Sequence, residues 1–273
     1  MFWKRFFRIK SAVISLIIII IVLLVSIFAP YLAPYDPVKQ SLAHRRELPT
    51  REHILGRDVF GRDILSRIIY GARATILAGV FSVMLSTIFG VALGTISGFY
   101  GGKIDMILMR FVDVLLSFPY FLLAILMVAV LGPGLWKACV AVAIATLPRF
   151  ARVVRGVVLS NVKMDYIEAT KALGSSNSRI IFNHILPNIS STIIVFSTLE
   201  LAHVILSTAS LSFLGLGAQP PIAEWGLMLN EAKGYLMVAP HMSLIPGMFI
   251  MILVLAANLF GDGLRDILDP KLK

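Results

Sequence analysis

The chain has 273 residues, of which 58% are hydrophobic and only 15% are charged, and its formal net charge is +10 at pH 7. This composition excludes an ordinary soluble domain and indicates a membrane protein with several spans. The single cysteine, Cys139, excludes an internal disulfide and a multi-cysteine metal site. The basic residues lie around the ends of the apolar stretches, which favours anionic lipid headgroups over nucleic acid as their partner.

Six apolar stretches are long enough to cross a hydrocarbon core as helices of about 20 residues, and they predict an all-α integral membrane fold. The predicted spans cover residues 11–30, 76–97, 114–132, 137–156, 190–213 and 243–260. An even number of spans puts both termini on the same side of the membrane. Because Pro30 follows Ala29 where a signal peptidase would cut, the first span is predicted to remain as an uncleaved anchor.

The distribution of basic residues predicts the orientation. Four of them lie ahead of or at the start of the first span: Lys4, Arg5, Arg8 and Lys10. With both termini in the cytoplasm, fifteen of the 25 Lys and Arg residues lie inside, which agrees with the positive-inside bias. Residues 1–75 are then an N-terminal region with the first span and an external segment, and residues 76–273 form a five-helix core.

The external segment contains a run of glycine and charged residues at positions 56–67, GRDVFGRDILSR. Four apolar side chains share one helical face at its end: Ile64, Leu65, Ile68 and Ile69. Arg62, Asp63 and Arg67 project from other faces. The pattern predicts an amphipathic helix that lies on the membrane surface.

Glycines recur at four-residue spacing in the second span, at Gly90, Gly94 and Gly98. This small-xxx-small pattern lets two helices approach closely in lipid. We therefore predict helix packing here, with pore lining as the less favoured interpretation.

Three arginines follow Pro148 at helical spacing: Arg149, Arg152 and Arg155. At the end of the fourth predicted span, they are expected to anchor in the cytoplasmic headgroup layer. A specific ionic site is the less favoured interpretation.

The segment at residues 158–188 is a polar insert between two apolar spans. Asp165 and Glu168 have the spacing of a capping box with Asp165 as the N-cap, and Gly174 suits the left-handed residue that closes a helix. Ser176 or Asn177 is a candidate cap for a second helix that Pro187 is expected to end. Two helices of about eight residues are marginal alone, so the insert is predicted to dock on a partner protein.

Glu200 and His203 are the acid and the histidine that lie deepest in the predicted spans, on one face of the fifth. Ionisable groups at such depth are expected to face a cavity or a partner. They are candidates for the translocation path, where they would meet a cationic group or a metal. A satisfied interhelical polar pair is an equally good interpretation.

After the fifth span, Gly215 and Gly217 begin an irregular external loop in which Trp225 is expected at the membrane interface. At the C-terminal end, Arg265 is predicted to pair with its acidic neighbours on a short helix. Those neighbours are Asp262, Asp266 and Asp269.

The polar insert resembles the EAA loop of ABC importer permeases. The resemblance rests on Glu168-Ala169, Gly174 and Leu186-Pro187 at the family's spacings, with Thr170 where Ala and His184 where Ile is usual. It implies that the loop is a coupling helix seated in a groove of an ATPase subunit. The residues that carry this implied role are Asp165, Glu168, Ala169, Ala172, Gly174, Leu186 and Pro187.

Three further blocks, at residues 56–73, 211–226 and 258–270, resemble the C-type permease of dipeptide, oligopeptide and nickel importers, with Arg57 in place of a small residue. The resemblance implies the type I importer (MetI-like) fold, a cell-membrane location in a bacterium or archaeon, and alternating access driven by ATP. It also implies three kinds of protein partner, namely a homologous second permease, two ATPase subunits and an external substrate-binding protein, in addition to the membrane lipid expected from the basic residues. Gln219, Glu224 and Trp225 are the candidate contacts with the binding protein.

No motif for chemistry is present. Gly101-Gly102-Lys103 continues with Ile104 and does not form a phosphate-binding loop, so ATP and Mg²⁺ are expected to be used by partner subunits, with no cofactor or metal bound by this chain. The sequence also lacks the nucleophile and metal motifs of hydrolases, which predicts a non-catalytic subunit. The alternative is a stand-alone secondary transporter or channel, but inverted repeats are not evident.

Overall fold

A computed structural model describes residues 6–7 and 9–268, and this part of the chain is helical with connecting loops and no β-strand. Several predicted basic and acidic positions lie outside the described residues: Lys4, Arg5, Arg8, Asp269, Lys271 and Lys273. The helices are α1 (Lys10–Ile27), α2 (Ile64–Tyr100), α3 (Gly102–Leu116), α4 (Tyr120–Leu131), α5 (Leu135–Val162), α6 (Asp165–Ala172), α7 (Asn177–Phe213), α8 (Trp225–Ala232) and α9 (His241–Leu268). Single turns occur at Ala29–Leu32, Leu42–His44 and Lys233–Tyr235.

Four of the described helices, α1, α2, α7 and α9, are long and apolar enough to cross a membrane. A fifth span is available if α3 and α4 are taken together as one broken span. Helix α5 has 28 residues, a length of about 42 Å, but it carries several basic side chains. The six-span topology and the cytoplasmic termini therefore stay predictions that the fold is consistent with.

Two predicted spans differ from the helices observed. The third, 114–132, is broken where α3 and α4 meet at an angle of 92°. Pro119 precedes α4 and has no N–H to continue α3, which explains the break. The second, 76–97, is only the middle of α2, which begins at Ile64 and so crosses the predicted boundary between residues 75 and 76.

The glycine stripe on α2 packs against α5, as predicted. A Cβ at Gly94 would lie 2.8 Å from Cβ of Val154, and one at Gly98 would lie 2.9 Å from Cβ of Val158. No larger residue fits at these points, because the two helix backbones approach too closely. Helix α7 packs against α2, α5 and α9, and α1 lies on the outside against α9.

Candidate coupling and translocation sites

Helix α6 carries the first half of the polar insert. Its N-cap is Met164, with extended backbone and no capping side chain, and Asp165 is the first helical residue. The prediction of a capping box with Asp165 as N-cap is therefore wrong. Asp165 and Glu168 lie in the first turn, where negative charge interacts favourably with the helix dipole.

Gly174 closes α6 in the left-handed conformation, as predicted, with φ of +77°. Its N–H donates to the carbonyl of Lys171 at 3.0 Å. A Cβ at this position would meet no atom within 4 Å. The requirement for glycine is thus a requirement of backbone conformation and not of space.

The second half of the insert is continuous with the following membrane helix. Of the two candidate caps, Ser176 is the one observed, because its Oγ accepts from the N–H of Arg179 at 3.4 Å. The prediction that Pro187 ends this helix is wrong. A π-helical segment at Ile181–Ile185 precedes Pro187, and the helix runs on to Phe213. The wider turn accommodates a residue without an N–H, so the chain need not break.

The insert docks only one face on its own bundle. Ile167, Ile180 and Ile185 are fully buried in an apolar cluster with Val154 and Val158 of α5.

The other face of the insert is bare: Leu173 is 87% exposed and Phe182 is 67% exposed. The residues predicted to couple to an ATPase lie on the same exposed side or beside it. Asp165, Glu168, Ala169, Ala172, Gly174 and Pro187 are exposed, and Leu186 is half-buried. This geometry can offer a contact surface, and it holds no group placed for chemistry.

Glu200 and His203 do not meet in the structure. The Glu200 side chain is 9% exposed and its Oε1 lies 3.5 Å from Nη1 of Arg149. Arg149 also stacks over the ring of Tyr120, with 4.8 Å to the ring centroid. His203 is exposed and lines a cavity of about 390 Å³ together with Arg149 and Tyr120.

The three arginines of α5 form ion pairs, which is the interpretation that the sequence favoured less, while anchoring in the headgroup layer stays a prediction for the exposed Arg152. Each reaches an acid on another helix. Arg152 Nη2 lies 2.7 Å from Asp113, and Arg155 donates to both oxygens of Asp105 at 2.5 and 2.6 Å. These pairs fasten α3 to α5, which the sequence did not indicate because the partners are far apart in the chain.

The predicted amphipathic surface helix is also wrong. Its apolar residues form the first turns of α2, and its charged side chains are buried as well as apolar ones: Arg67 is 0% exposed, Arg62 is 2% exposed and Ile64 is 1% exposed. Arg62 Nε donates to Asp58 at 2.6 Å and Arg62 Nη2 donates to Glu231 at 2.6 Å. Arg67 lies 3.4 Å from Asp58 and 3.1 Å from Glu231. We call Asp58, Arg62, Arg67 and Glu231 the outer ion-pair cluster.

The neighbouring Asp63 connects the start of α2 to the external segment. Its Oδ2 accepts from the N–H of Ser66 at 2.7 Å and so caps α2, while its Oδ1 lies 2.8 Å from Nδ1 of His53. The signature at residues 56–67 therefore holds the start of α2 against the external segment and α8.

Two of the three predicted binding-protein contacts are buried, and that prediction is corrected for them. Trp225 is 1% exposed and its Nε1 donates to the carbonyl of Ile68 at 3.0 Å. Glu224 caps α8 by accepting from Gly226 and Leu227 at 3.0 and 2.8 Å. Burial raises the pKa of this carboxyl above its usual range. Both residues fix α8, and only Gln219 is half-exposed.

At the C-terminal end, the predicted pairing of Arg265 is not found. Within the described residues, no ion pair joins Arg265 to Asp262 or Asp266, and Asp269 lies outside them. The side chain instead lines an open polar cavity with Asn161 and Asn188. Across residues 6–7 and 9–268, no group of three His, Cys, Asp or Glu side chains is placed to hold a metal ion.

Comparison with known proteins decides the family. The family model for binding-protein-dependent transport system inner membrane components matches residues 90–273. The chain belongs to this family of permeases. A second model, for the N-terminal transmembrane domain of oligopeptide transport permease C, matches residues 1–49. Together they confirm the C-type permease resemblance.

The permease also has close relatives over its full length. It is 47% identical to the glutathione transport system permease protein GsiD of Pectobacterium atrosepticum, covering 100% of this chain and 91% of the relative. It is 46% identical to the protein of that name from Escherichia coli, covering 100% and 90%. The permease is thus a non-catalytic, multi-pass subunit of an ABC importer in a bacterial-type inner membrane, and such importers work with ATPase and binding-protein subunits.

The fold of the permease matches a solved transporter. An inward-facing structure of the MetNI methionine ABC transporter aligns with a TM-score of 0.59 and 19% identity, over 75% of this chain and 97% of that one. This confirms the predicted MetI-like fold.

Proposed function

We propose that the permease forms half of the translocation path of an ATP-driven importer for small peptides of the glutathione type. The support for this substrate class is the identity of 46–47% to glutathione permeases along the whole chain. Dipeptides and longer peptides are the next candidates, and a nickel chelate follows them, since the relatives at 46–47% identity are named for glutathione, which is a peptide.

The observation that carries the coupling role is the bare face of the insert. An insert that buries Ile167 and Ile180 yet exposes Leu173 and Phe182 is half of an apolar interface. We propose that an ATPase subunit covers it, so that closure of two ATPases on ATP and Mg²⁺ moves α6 and, through α7, the pore. The remaining partners would be a homologous permease and an external binding protein, and this chain would bind no cofactor.

Reconstitution tests both parts. The permease, its partner permease, both ATPases and the binding protein are assembled in proteoliposomes, and ATP-dependent uptake of glutathione, a dipeptide, a pentapeptide and a Ni²⁺ chelate is measured. We expect uptake of glutathione and an ATPase rate that rises when the loaded binding protein is present. Uptake of the Ni²⁺ chelate alone would overturn the substrate class. Transport by the permease alone without ATP would overturn the importer role and support a secondary transporter.

A further inference from the structure

The cavity between α4, α5 and α7 has a distinct chemical character. Of the side chains that line it, Arg149 is the one with a permanent charge, and the others are one histidine, one tyrosine, two serines and apolar groups. Its polar lining includes Tyr120 at the start of α4 and His203, Ser207 and Ser210 along α7. The three α7 residues follow at intervals of four and three, so they share one helical face.

The charge accessible from this cavity is positive. The Arg149 side chain is 39% exposed whereas that of Glu200 is 9% exposed, and Glu200 is not part of the lining. A guanidinium has five N–H donors, and the contact with Glu200 uses Nη1 at 3.5 Å. Stacking on Tyr120 holds the guanidinium plane in place. Donors remain for a second acceptor that enters from the cavity.

The lining also provides acceptors. Ser207 and Ser210 donate their hydroxyl hydrogens to the carbonyls of His203 and Leu206 at 2.7 Å each. Their oxygens keep lone pairs that can accept from a peptide N–H. A donor of bidentate geometry beside neutral acceptors matches a carboxylate attached to amide groups.

We propose that Arg149 binds a carboxylate of the peptide substrate during translocation, with Glu200 and Tyr120 as positioning residues. The proposal rests on the proposed function and assigns its substrate contact inside the membrane. It replaces the expectation that Glu200 and His203 meet a cation. A cationic substrate would face Arg149 instead of Glu200, since Glu200 is buried behind it.

The partial neutralisation of Arg149 by Glu200 fits a transport site. A path must bind its cargo well enough to admit it and weakly enough to release it. A lone guanidinium in this setting would hold a carboxylate tightly. Because Glu200 lies 3.5 Å from Arg149 and competes for its charge, the substrate carboxylate binds Arg149 less tightly and is released more readily.

The test uses the complete reconstituted importer with saturating loaded binding protein. Glutathione taken up per ATP hydrolysed is compared for wild type, Arg149→Gln, Arg149→Lys and the matched control Arg152→Gln, which removes an exposed pair outside the cavity. We expect a tenfold or greater loss for Arg149→Gln, because a hydrogen bond to a charged group is removed. Arg149→Lys should lose less, since it keeps the charge without the fork. The control should retain wild-type transport.

The outcomes distinguish failure of the proposed function from failure of the carboxylate contact. Wild type without ATP-dependent glutathione uptake means that the proposed function fails. Wild type that transports, with Arg149→Gln transporting equally, overturns the carboxylate contact alone. If Arg149→Gln does not assemble, the double variant Arg149→Gln/Glu200→Gln leaves no unpaired charge, and normal uptake per ATP by that variant would overturn the proposal.

A second measurement separates binding from structure. In wild type, glutathione and its diamide are each presented at saturation of the binding protein, with binding-protein affinity measured independently. We expect the diamide to be transported at least tenfold more slowly per ATP hydrolysed. Equal transport of acid and amide would contradict recognition of a carboxylate in the path.

Discussion

The outer ion-pair cluster and the polar insert both contain acidic and basic residues, but these are mostly buried in the cluster and exposed in the insert. In the cluster, Arg62, Arg67 and Asp58 are buried and Glu231 is partly buried, and ion pairs within the chain join all four. In the insert, Asp165 and Glu168 make no ion pair in the described part of the chain, and apolar side chains stand exposed beside them. The charges of the cluster therefore have partners within the chain, whereas the exposed face of the insert is available to a second protein.

The largest effect on stability is expected from a substitution in the outer ion-pair cluster. Glu231→Gln would leave Arg62 and Arg67 buried with one acid between them. Removing one member of a buried ionic group costs about 3–5 kcal/mol. We expect a clearly lower melting temperature and a lower yield of assembled importer. Thermal unfolding in detergent measures it, and a variant that melts like wild type would show that the cluster is not structural.

The second largest effect is expected from substitutions on the exposed face of the polar insert. Leu173→Ser with Phe182→Ser should leave the permease fold unchanged, since both side chains are exposed. Each apolar side chain that an interface buries contributes about 1.5–3 kcal/mol. We expect ATPase subunits to bind at least tenfold more weakly, measured by titration of the purified permease pair. Unchanged ATPase affinity would mean that the bare face serves another purpose.

A smaller effect is expected at the turn between α6 and α7. Gly174→Val forces a β-branched residue into the left-handed conformation, at a cost of about 1–3 kcal/mol. We expect ATP hydrolysis to continue while uptake per ATP falls. Gly174→Asn should be milder, because Asn tolerates this conformation. The control is Gly156→Ala on α5, where a Cβ also meets no atom within 4 Å but the backbone is helical. Normal coupling in Gly174→Val would contradict the role of the turn.

The smallest effect sharpens the contrast between buried and exposed charge. Asp113→Asn removes the pair with Arg152, whose two side chains are more than half exposed. Exposed pairs contribute about 0.2–1 kcal/mol. We expect a melting temperature close to that of wild type, falling far short of the change in Glu231→Gln. A comparable loss would show that the α3–α5 contact is as important as the outer cluster.

Features set by neighbouring residues could be predicted from the sequence. The left-handed Gly174, the Ser176 cap and the close packing at Gly94 all depend on local conformation or on a repeat along one helix. The exposed insert followed from the absence of a phosphate-binding loop together with short helices that need a partner. Of these features, Gly174 and the insert also carry the family resemblance.

Features that depend on contacts between residues far apart in the chain could not be predicted from the sequence. Glu231 lies 169 positions from Arg62 in the chain, so nothing local indicates their contact. Tryptophan is a residue type common at membrane interfaces, yet Trp225 is buried and its indole N–H donates to a carbonyl of α2. Pro187 looked like a helix end because the π-helical segment that accommodates it depends on how Ile180 and Ile185 pack.

Helix α2 is longer than the membrane core that it is predicted to cross. It has 37 residues and a length of about 55 Å, well beyond a hydrocarbon core of about 30 Å. Its outer end carries Arg67 and its inner end reaches Ser97, which donates to Asp105 of α3. Over this length, a tilt of about one degree moves the far end by about 1 Å. A tilt of the end that carries Arg67 would therefore displace the end that carries Ser97 as a rigid body, without any change inside the helix itself.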